Sequence, residues 1–379
     1  MLHPWDSQSF AEGAKHAGRS AAMIANAQAA AESIKAANVN LPVILSLGHL
    51  AHLTDVGLPV LTNYVERTDD PYRVFRLKKN PTGLRVERKF RTICVPEPSL
   101  MRIQRWIAQN VLNAQQPHPR SYAFAPGRNL LQAADRHAGC RWLVKMDLQN
   151  FFESIDERQV YLVFRSMGYG ALLSFEMARI CTRLPGAHRN VPQEFGASPV
   201  GYSFQKPGHL PQGAPTSPML ANLVVRTLDR RLEAVGKKFG WIYSRYADDL
   251  AFSTRGRTGR GAATALIKLI EAELRDFGLR ENPAKTSITP PGHRKVLLGV
   301  LIDRDQPRLT KSFRNNVETH LFALCHPSLG ATAHCRARGF RSVTGLRRHL
   351  AGLIAFAHAV DKTYAEALYA QFNDVDWSR

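Results

Sequence analysis

The stretch Arg245-Tyr246-Ala247-Asp248-Asp249-Leu250-Ala251-Phe252-Ser253 constrains the fold more than any other part of the chain. Apolar runs, Trp241 to Tyr246 and Leu250 to Phe252, flank two adjacent carboxylates. Alternation on both sides predicts a β-hairpin with the acids at its tip. Asp-Asp in a tight turn is ordinary by itself, because Asp suits turns. A second acid in a similar setting changes the reading. Trp142-Leu143-Val144-Lys145-Met146-Asp147-Leu148 is a short apolar strand ending in Asp147. A strand-end Asp with a hairpin-tip Asp is a way to hold two hard divalent cations through oxygen ligands. Two such ions can activate an attacking hydroxyl and stabilise the leaving oxygen in phosphoryl transfer.

Composition narrows the partners. A chain of 379 residues allows a large core or two to three subdomains. Its formal net charge is +20. Solubility accounts for some surface charge, but an excess this large points to a polyanionic partner through phosphate neutralisation and counterion release. No apolar run reaches the roughly 20 residues of a membrane span. His3, Asp6 and Glu12 leave no room for an apolar signal core. Five cysteines, scattered and odd in number, suit reduced thiols. The expectation is a cytoplasmic protein with no membrane partner.

With these acids placed, the chain resembles a family. Tyr246-Ala247-Asp248-Asp249 is similar to the YADD box of reverse transcriptases. Asp147 with Phe151-Phe152 resembles the preceding metal-binding box. Leu210-Pro211-Gln212-Gly213-Ala214-Pro215-Thr216-Ser217-Pro218, continuing to Asn222, resembles the template and nucleotide box between them. Order and spacing match, and the resemblance runs from about Val74 to the C-terminus. The wording QGAPTSP is closest to bacterial retron-type enzymes, whereas intron-encoded ones more often read QGSVLSP.

The resemblance implies an α+β right-hand polymerase: fingers, a palm with an antiparallel sheet, and a helical thumb. Residues 46–140 are then fingers, 141–305 palm with fingers insertions, and 306–379 a thumb that binds RNA and duplex. Residues 1–45 form an N-terminal helical extension that the resemblance does not cover. The extension is Ala-rich, with Ile24, Ala27, Ala31 and Ile34 as a thin apolar stripe and Asn38 to Pro42 as its stop. Packing on the enzyme, RNA contact and partner binding all remain open for it, with packing the default.

Along the rest of the chain the expectations are specific. Tyr72 to Leu77 and Leu84 to Arg88 alternate around Lys79-Asn80-Pro81-Thr82-Gly83, which predicts a hairpin with a basic face. Lys78, Lys79, Arg85 and Arg91 are its candidates for template or triphosphate contact; any one of them reads as a generic phosphate contact or a solvated charge rather than a dedicated catalytic group. Pro96 to Leu112 reads as a helix, and Leu41 to Val65 as a short helix followed by a connector. His118 to Arg128 resembles the family's HPxxxGFxxGRS segment, with Ala123 for the first glycine, and Arg128 could clamp a triphosphate. Ala133-Ala134-Asp135-Arg136-His137 stands where retron enzymes commonly read NAxxH, so any hydrogen bond of that Asn is lost.

Asp147 is the first expected metal ligand, joined by the Leu148 carbonyl as the resemblance implies. Phe152 is implied to pack under the sugar and exclude a 2′-hydroxyl, while Phe151 reads as core. Gln212-Gly213 lets backbone approach a nucleotide closely. Ser217 is expected to cap a helix with Pro218 in its first turn, and Leu220 to Val235 to continue it. Ala263 to Phe277 reads as an amphipathic helix with Leu266, Leu269, Ile270 and Leu274 inward. Asn282-Pro283-Ala284-Lys285-Thr286 resembles the NxxKT box, so Lys285 is a candidate for stabilising or protonating pyrophosphate, beside a purely structural role. Arg294 to Asp303 reads as a strand pair around Leu297-Leu298-Gly299, where retron enzymes show Val-Thr-Gly. Val343-Thr344-Gly345 lies too far along and reads as coincidence. Thr310 to Arg379 reads as helical and basic, with Arg336, Arg341, Arg347 and Arg348 as nucleic-acid candidates. Cys325-His326 and His334-Cys335 match no common zinc spacing.

The function expected is RNA-directed DNA synthesis in a retron, with two Mg²⁺ held by Asp147, Asp248 and Asp249. The resemblance implies dNTPs, a dedicated structured non-coding RNA as template and primer, a branched RNA–DNA product (msDNA), and anti-phage defence with a separately encoded effector protein. The rivals are another mobile-element enzyme, group II intron-like, and a non-catalytic RNA-binding scaffold of the same fold. The first would normally carry a further domain after the thumb; the second is disfavoured by intact acids at all three positions.

Overall fold

The structure, a computed structural model, describes residues 5–78, 90–185, 207–326 and 329–378. In chain order come α1 Ser7–His16, α2 Ala21–Ala37, α3 Leu47–Thr54, α4 Leu58–Glu66, β1 Tyr72–Lys78, β2 Phe90–Pro96, α5 Pro98–Asn110, α6 Leu130–Asp135 and β3 Trp142–Asp147. Then follow α7 Glu157–Ser166, α8 Ala171–Cys181, α9 Ser217–Val224, α10 Arg226–Lys238, β4 Ile242–Tyr246, β5 Asp249–Thr254 and α11 Arg260–Phe277. Short strands β6 Ser287–Thr289, β7 Val296–Leu297, β8 Val300–Leu301 and β9 Arg308–Leu309 lead into α12 Lys311–Cys325, α13 Gly330–Ala337, α14 Val343–Val360 and α15 Lys362–Asn373. The class is α+β. Two compact units form: Met1–Pro126 with Leu148–Arg231 and Glu273–Arg280, and Gly127–Asp147 with Leu232–Ala272 and Glu281–Arg379.

In the first unit the Ala-rich helix forms over the expected residues. Ser20 caps α2 by accepting from Met23 N, and Asn38 ends it. Ile24, Ala31 and Ile34 are buried along one face. Asn38 Nδ2 donates to Ala114 O at 2.7 Å, tying the helix end to the turn after α5. Helix α1, which the sequence pattern does not announce, buries none of its residues. Leu41 to Val65 holds two helices, α3 and α4, rather than a helix and a connector, because Asp55-Val56-Gly57 interrupts the run and Asp55 turns left-handed at φ 51°.

The hairpin expected around residues 79–83 needs correction. Strand β1 pairs antiparallel with β2, Lys78 opposite Phe90 and Tyr72 opposite Pro96. Its partner is therefore Phe90–Pro96, not Leu84 to Arg88, which lies outside the described residues. The helix cap expected at Ser217 also differs. Thr216 precedes the helix without a side-chain cap, and Ser217 Oγ instead donates to Pro211 O at 2.8 Å.

The second unit is built on a four-stranded antiparallel sheet of order β4-β5-β3-β6. Interior strand β3 is buried at every position but Lys145, which is why its sequence is apolar at Trp142 to Val144 and again at Met146. A smaller sheet, β7-β8-β9, turns through Leu298 (φ 50°) and Gly299 (φ 87°). Two positive φ values suit the tight turn of a two-residue hairpin. Ala134, Cys140, Leu143, Ala251, Leu297, Val300 and Ile302 form one core. Helices α12 to α15 close around another, with Val317, Leu321, Leu346, Leu350, Ile354 and Leu368 at its centre. Val343-Thr344-Gly345 is simply the first turn of α14, where Gly345 N donates to the cap hydroxyl of Ser342. In α11 the buried stripe is Ala263, Leu266, Ile267, Ile270 and Leu274; Leu269, expected inward, is 40% exposed. Among the described residues no helix is long and apolar enough to cross a membrane.

Candidate active site

Strand β3 runs into Asp147 and β5 runs out of Asp249. Their antiparallel register sets these two residues directly opposite each other. Across the hairpin Tyr246 pairs with Asp249, which leaves Ala247 and Asp248 as the two-residue loop. Ala247 takes φ 56°, a left-handed value that such loops demand and glycine usually supplies. Below the tip, Arg245 is only 1% exposed, and its Nη1 donates to Ala247 O at 3.1 Å. The expected hairpin thus forms, and the strand-end acid stands beside it in one sheet.

Desolvation and crowding of like charge together set the electrostatics. Asp147 is buried, Asp248 half-buried and Asp249 exposed. Asp249 reaches the surface, yet desolvation by the protein packed around its carboxyl comes first in pushing it up to about 6; the charges of Asp248 and Asp147 add to the rise, and Lys285 and Lys145 oppose it. Lys285 Nζ lies 2.5 Å from Asp147 Oδ1. Asn282 donates from its backbone to Asp147 O at 2.7 Å and from Nδ2 to Asp147 Oδ2 at 3.3 Å. In the sequence Asn282 stands in a box without a role of its own; its place as the first letter of that box was the available signal.

These donors fit a hard divalent cation. All are carboxylate oxygens, and an ammonium already stands against one of them. Among the described residues no group of three or more His, Cys, Asp or Glu side chains is placed to hold a metal ion by itself. Mg²⁺ does not need one, because it keeps waters and takes phosphate oxygens of its substrate alongside one or two carboxylates.

In the first unit, the segment around Gln212 is sewn in place by its backbone. Arg183 and His209 exchange two hydrogen bonds at 2.9 Å, and Leu210 N donates to Ile155 O at 3.1 Å. Cys94 N donates to Gln212 O at 2.7 Å. Gly213 adopts φ 115°, and a Cβ there would stand 2.9 Å from Cys94 O. Ion pairs surround this segment: Arg183 with Asp70, and Arg67 with Glu157. Asn222 accepts from Ser121 Oγ at 2.9 Å and donates to Ala123 O at 2.8 Å, so it braces the loop before Arg128. Phe151 is buried and Phe152 half-buried, ring centroids 5.7 Å apart. The Leu148 side chain is 2% exposed.

The remaining candidates are spread out. Arg128 is half-buried before the capping box of Asn129 and Gln132 that starts α6. Arg336, Arg341, Arg347 and Arg348 are exposed in the four-helix part of the second unit. Lys79 and Arg85 lie outside the described residues; Lys78 ends β1. His334 Nε2 is 2.8 Å from His320 Nδ1, and Cys335 Sγ donates to Phe340 O.

The comparisons with known proteins agree with one another. Residues 77–302 match the family model of reverse transcriptase (RNA-dependent DNA polymerase). The chain is 31% identical over 271 residues to the Retron Ec86 reverse transcriptase of Escherichia coli, covering 71% of this chain and 75% of that one. It is 32% identical over 297 residues to the Retron Mx162 reverse transcriptase of Myxococcus xanthus, with 76% and 58% covered. To the Retron Mx65 reverse transcriptase of the same organism it is 30% identical over 344 residues, with 88% and 72% covered. The chain belongs to the reverse transcriptase family, as a bacterial retron-type RNA-directed DNA polymerase.

Proposed function

We propose that this polymerase copies a dedicated structured RNA into a branched RNA–DNA product, at a site made by Asp147, Asp248 and Asp249. The observation that carries the reading is the register of β3 against β5, which sets Asp147 opposite Asp249 with Asp248 at the tip of the same hairpin. Bound there together with the nucleotide, two Mg²⁺ ions supply activation of the attacking hydroxyl and neutralisation of the triphosphate.

The chain's own residues do the holding and positioning. Asp147 and Asp249 present oxygens from two fixed strands, and the Arg245 contact to Ala247 O keeps Asp248 at a set height. Lys285 holds Asp147 and carries positive charge to where pyrophosphate charge develops. Gln212 and Gly213 offer a backbone edge to the nucleotide, Phe152 closes the sugar side, the Leu148 carbonyl joins the metal site, and Arg128 and Arg85 meet phosphates. In this reading 46–140 are fingers, 141–305 palm and 306–379 thumb. Arg336, Arg341, Arg347 and Arg348, with Lys78 and Lys79, contact the nucleic acid. A separately encoded effector completes a cytoplasmic anti-phage system.

The test is expression with the native flanking DNA, followed by denaturing electrophoresis of the co-purified nucleic acid with and without RNase and debranching enzyme. A discrete DNA band shifted by both treatments is expected. RNA without DNA would remove the product assignment. Asp248→Asn should abolish the DNA band and leave RNA bound; DNA synthesis retained in that variant would overturn the carboxylate site. Phe152→Ala should admit ribonucleotides, read as a changed ratio of rNTP to dNTP incorporation.

A further inference from the structure

His137 is fully buried, one residue beyond Arg136 at the end of α6, and both of its ring nitrogens are engaged. Nδ1 lies 2.6 Å from Ser253 Oγ on β5, and Nε2 lies 2.7 Å from Ser244 Oγ on β4. These are the two strands of the hairpin whose tip carries Asp248 and Asp249. Ser244 pairs with Ala251, and Ser253 with Ile242, so the two hydroxyls are diagonal neighbours. Residues directly opposite, and residues two apart along a strand, share a face. Ser244, Ser253, Ala251 and Asp249 therefore share one face of the sheet, and the imidazole sits on it.

The neighbours of His137 grip the same strands. Arg136 Nε donates to Tyr243 O at 3.0 Å, Arg141 N to Thr254 O at 2.9 Å, and Arg255 Nη2 to Ala138 O at 2.7 Å. Burial, helped by the Arg136 charge, pushes the imidazole down to about 3, so the ring is neutral. A neutral ring has one N–H and one lone pair. One serine hydroxyl then accepts and the other donates, which fixes the two strands against each other along their length. Both hydroxyls are buried, so loss of the ring would leave each of them short of a partner.

We propose that His137 is a positioning residue for nucleotidyl transfer: by tying Ser244 to Ser253 it sets the height of Asp248 and Asp249 against Asp147. The proposal rests on the carboxylate site above. Contact of the imidazole with RNA is ruled out by its burial, so its role is exerted through the strands.

The test uses the full-length protein, an RNA template annealed to a DNA primer, dNTPs and MgCl₂. His137→Ala and His137→Phe are compared with His137→Gln, which restores one of the two hydrogen bonds, and with Ser244→Ala and Ser253→Ala. Single-turnover rate at saturating dNTP, dNTP half-saturation, half-activating Mg²⁺, RNA affinity and Tm are measured. The expected result for Ala and Phe is a loss of rate of about 10- to 100-fold, the size of effect that follows from displacing reacting groups by about 1 Å. Half-activating Mg²⁺ should rise, dNTP half-saturation and RNA affinity should stay within twofold, and Gln should recover part of the rate. Each serine variant should show a smaller loss that vanishes in the His137→Ala background, because the tie is already cut. If His137→Ala fails to fold, the serine variants carry the same test through rate and Mg²⁺ dependence.

Three results would overturn the proposal: an unchanged rate in folded variants, a loss that follows Tm with no change in Mg²⁺ dependence, or a loss of RNA affinity with normal rate. Asp248→Asn is the control on the underlying site. If it keeps wild-type rate, the carboxylate reading has failed; if it is inactive and the His137 variants are normal, only the positioning role has.

Discussion

Gly213 holds φ 115°, and a Cβ there would stand 2.9 Å from the Cys94 carbonyl oxygen. Neither condition tolerates an L-residue, so Gly213→Ala must move the loop that carries Gln212. The expected outcome is a rise in KM for dNTP of at least about tenfold, equivalent to ~1.4 kcal/mol, with RNA affinity unchanged; a normal KM would detach this loop from the nucleotide. Asp249 makes the opposite kind of case, a residue whose charge opposes folding. Its carboxyl is near 6 in the fold against 3.8 as an ordinary Asp. Between those values the unfolded chain has lost the proton and the folded one keeps it. The destabilisation is absent below about pH 4, builds up to pH 6 and is complete above it. Metal-free Asp249→Asn should therefore be more stable than wild type at pH 8, by roughly 1 kcal/mol after allowance for solvent screening. It should lose that advantage at pH 4, as thermal melts in EDTA would show.

At the scale of elements, α2 and α1 separate clearly. Helix α2 buries Ile24, Ala31 and Ile34, whereas α1 buries nothing. Ile34→Ala is expected to cost ~2–4 kcal/mol of stability in the first unit, read as a drop in denaturation midpoint. Deleting residues up to Ala17 should leave that midpoint in place. The contrast also bears on legibility. Helix α2 could be read because it is Ala-rich, its apolar residues recur at helical spacing, and Asn38 to Pro42 stop it. The acid-tipped hairpin could be read because alternation flanks a two-residue turn, and β3 because most of an interior strand is apolar. Strand β1 was legible but its partner was not. Pairing is a contact between segments, and β2 is also fixed by its bond from Cys94 N to Gln212 O, more than a hundred residues away in sequence. Leu269 was misplaced for a simpler reason: a stripe read one residue at a time lets a leucine at the helix margin pass as core, when Ala263 and Ile267 fill the buried face. The grip on Asp147 by Asn282 and the tie through His137 are side-chain contacts between distant segments, and no periodicity encodes them.

At the scale of the whole molecule, 51 basic residues stand against 31 acidic ones. Yet the proposed reaction centre is a cluster of acids. The two facts fit together if the surplus of cations gathers a polyanion over the surface and the local acids wait for the divalent ions it shares. A field of this kind acts on phosphates without regard to base sequence. Arg336, Arg341, Arg347 and Arg348 are exposed on the helical part of the second unit, and Arg347 lies 5.6 Å from the Trp377 ring centre. Replacing the four by Gln should lower RNA affinity steeply at low salt and flatten the plot of log K against log salt. A slope smaller by roughly 3 is expected, at about 0.7–0.9 for each phosphate that no longer meets a cation. Because this part of the affinity is electrostatic, the native RNA and an unrelated hairpin of equal length should weaken alike. Weakening confined to the native RNA, with an unchanged slope, would mean that these arginines read shape or bases instead, and the general attraction would have to come from the other cations of the chain.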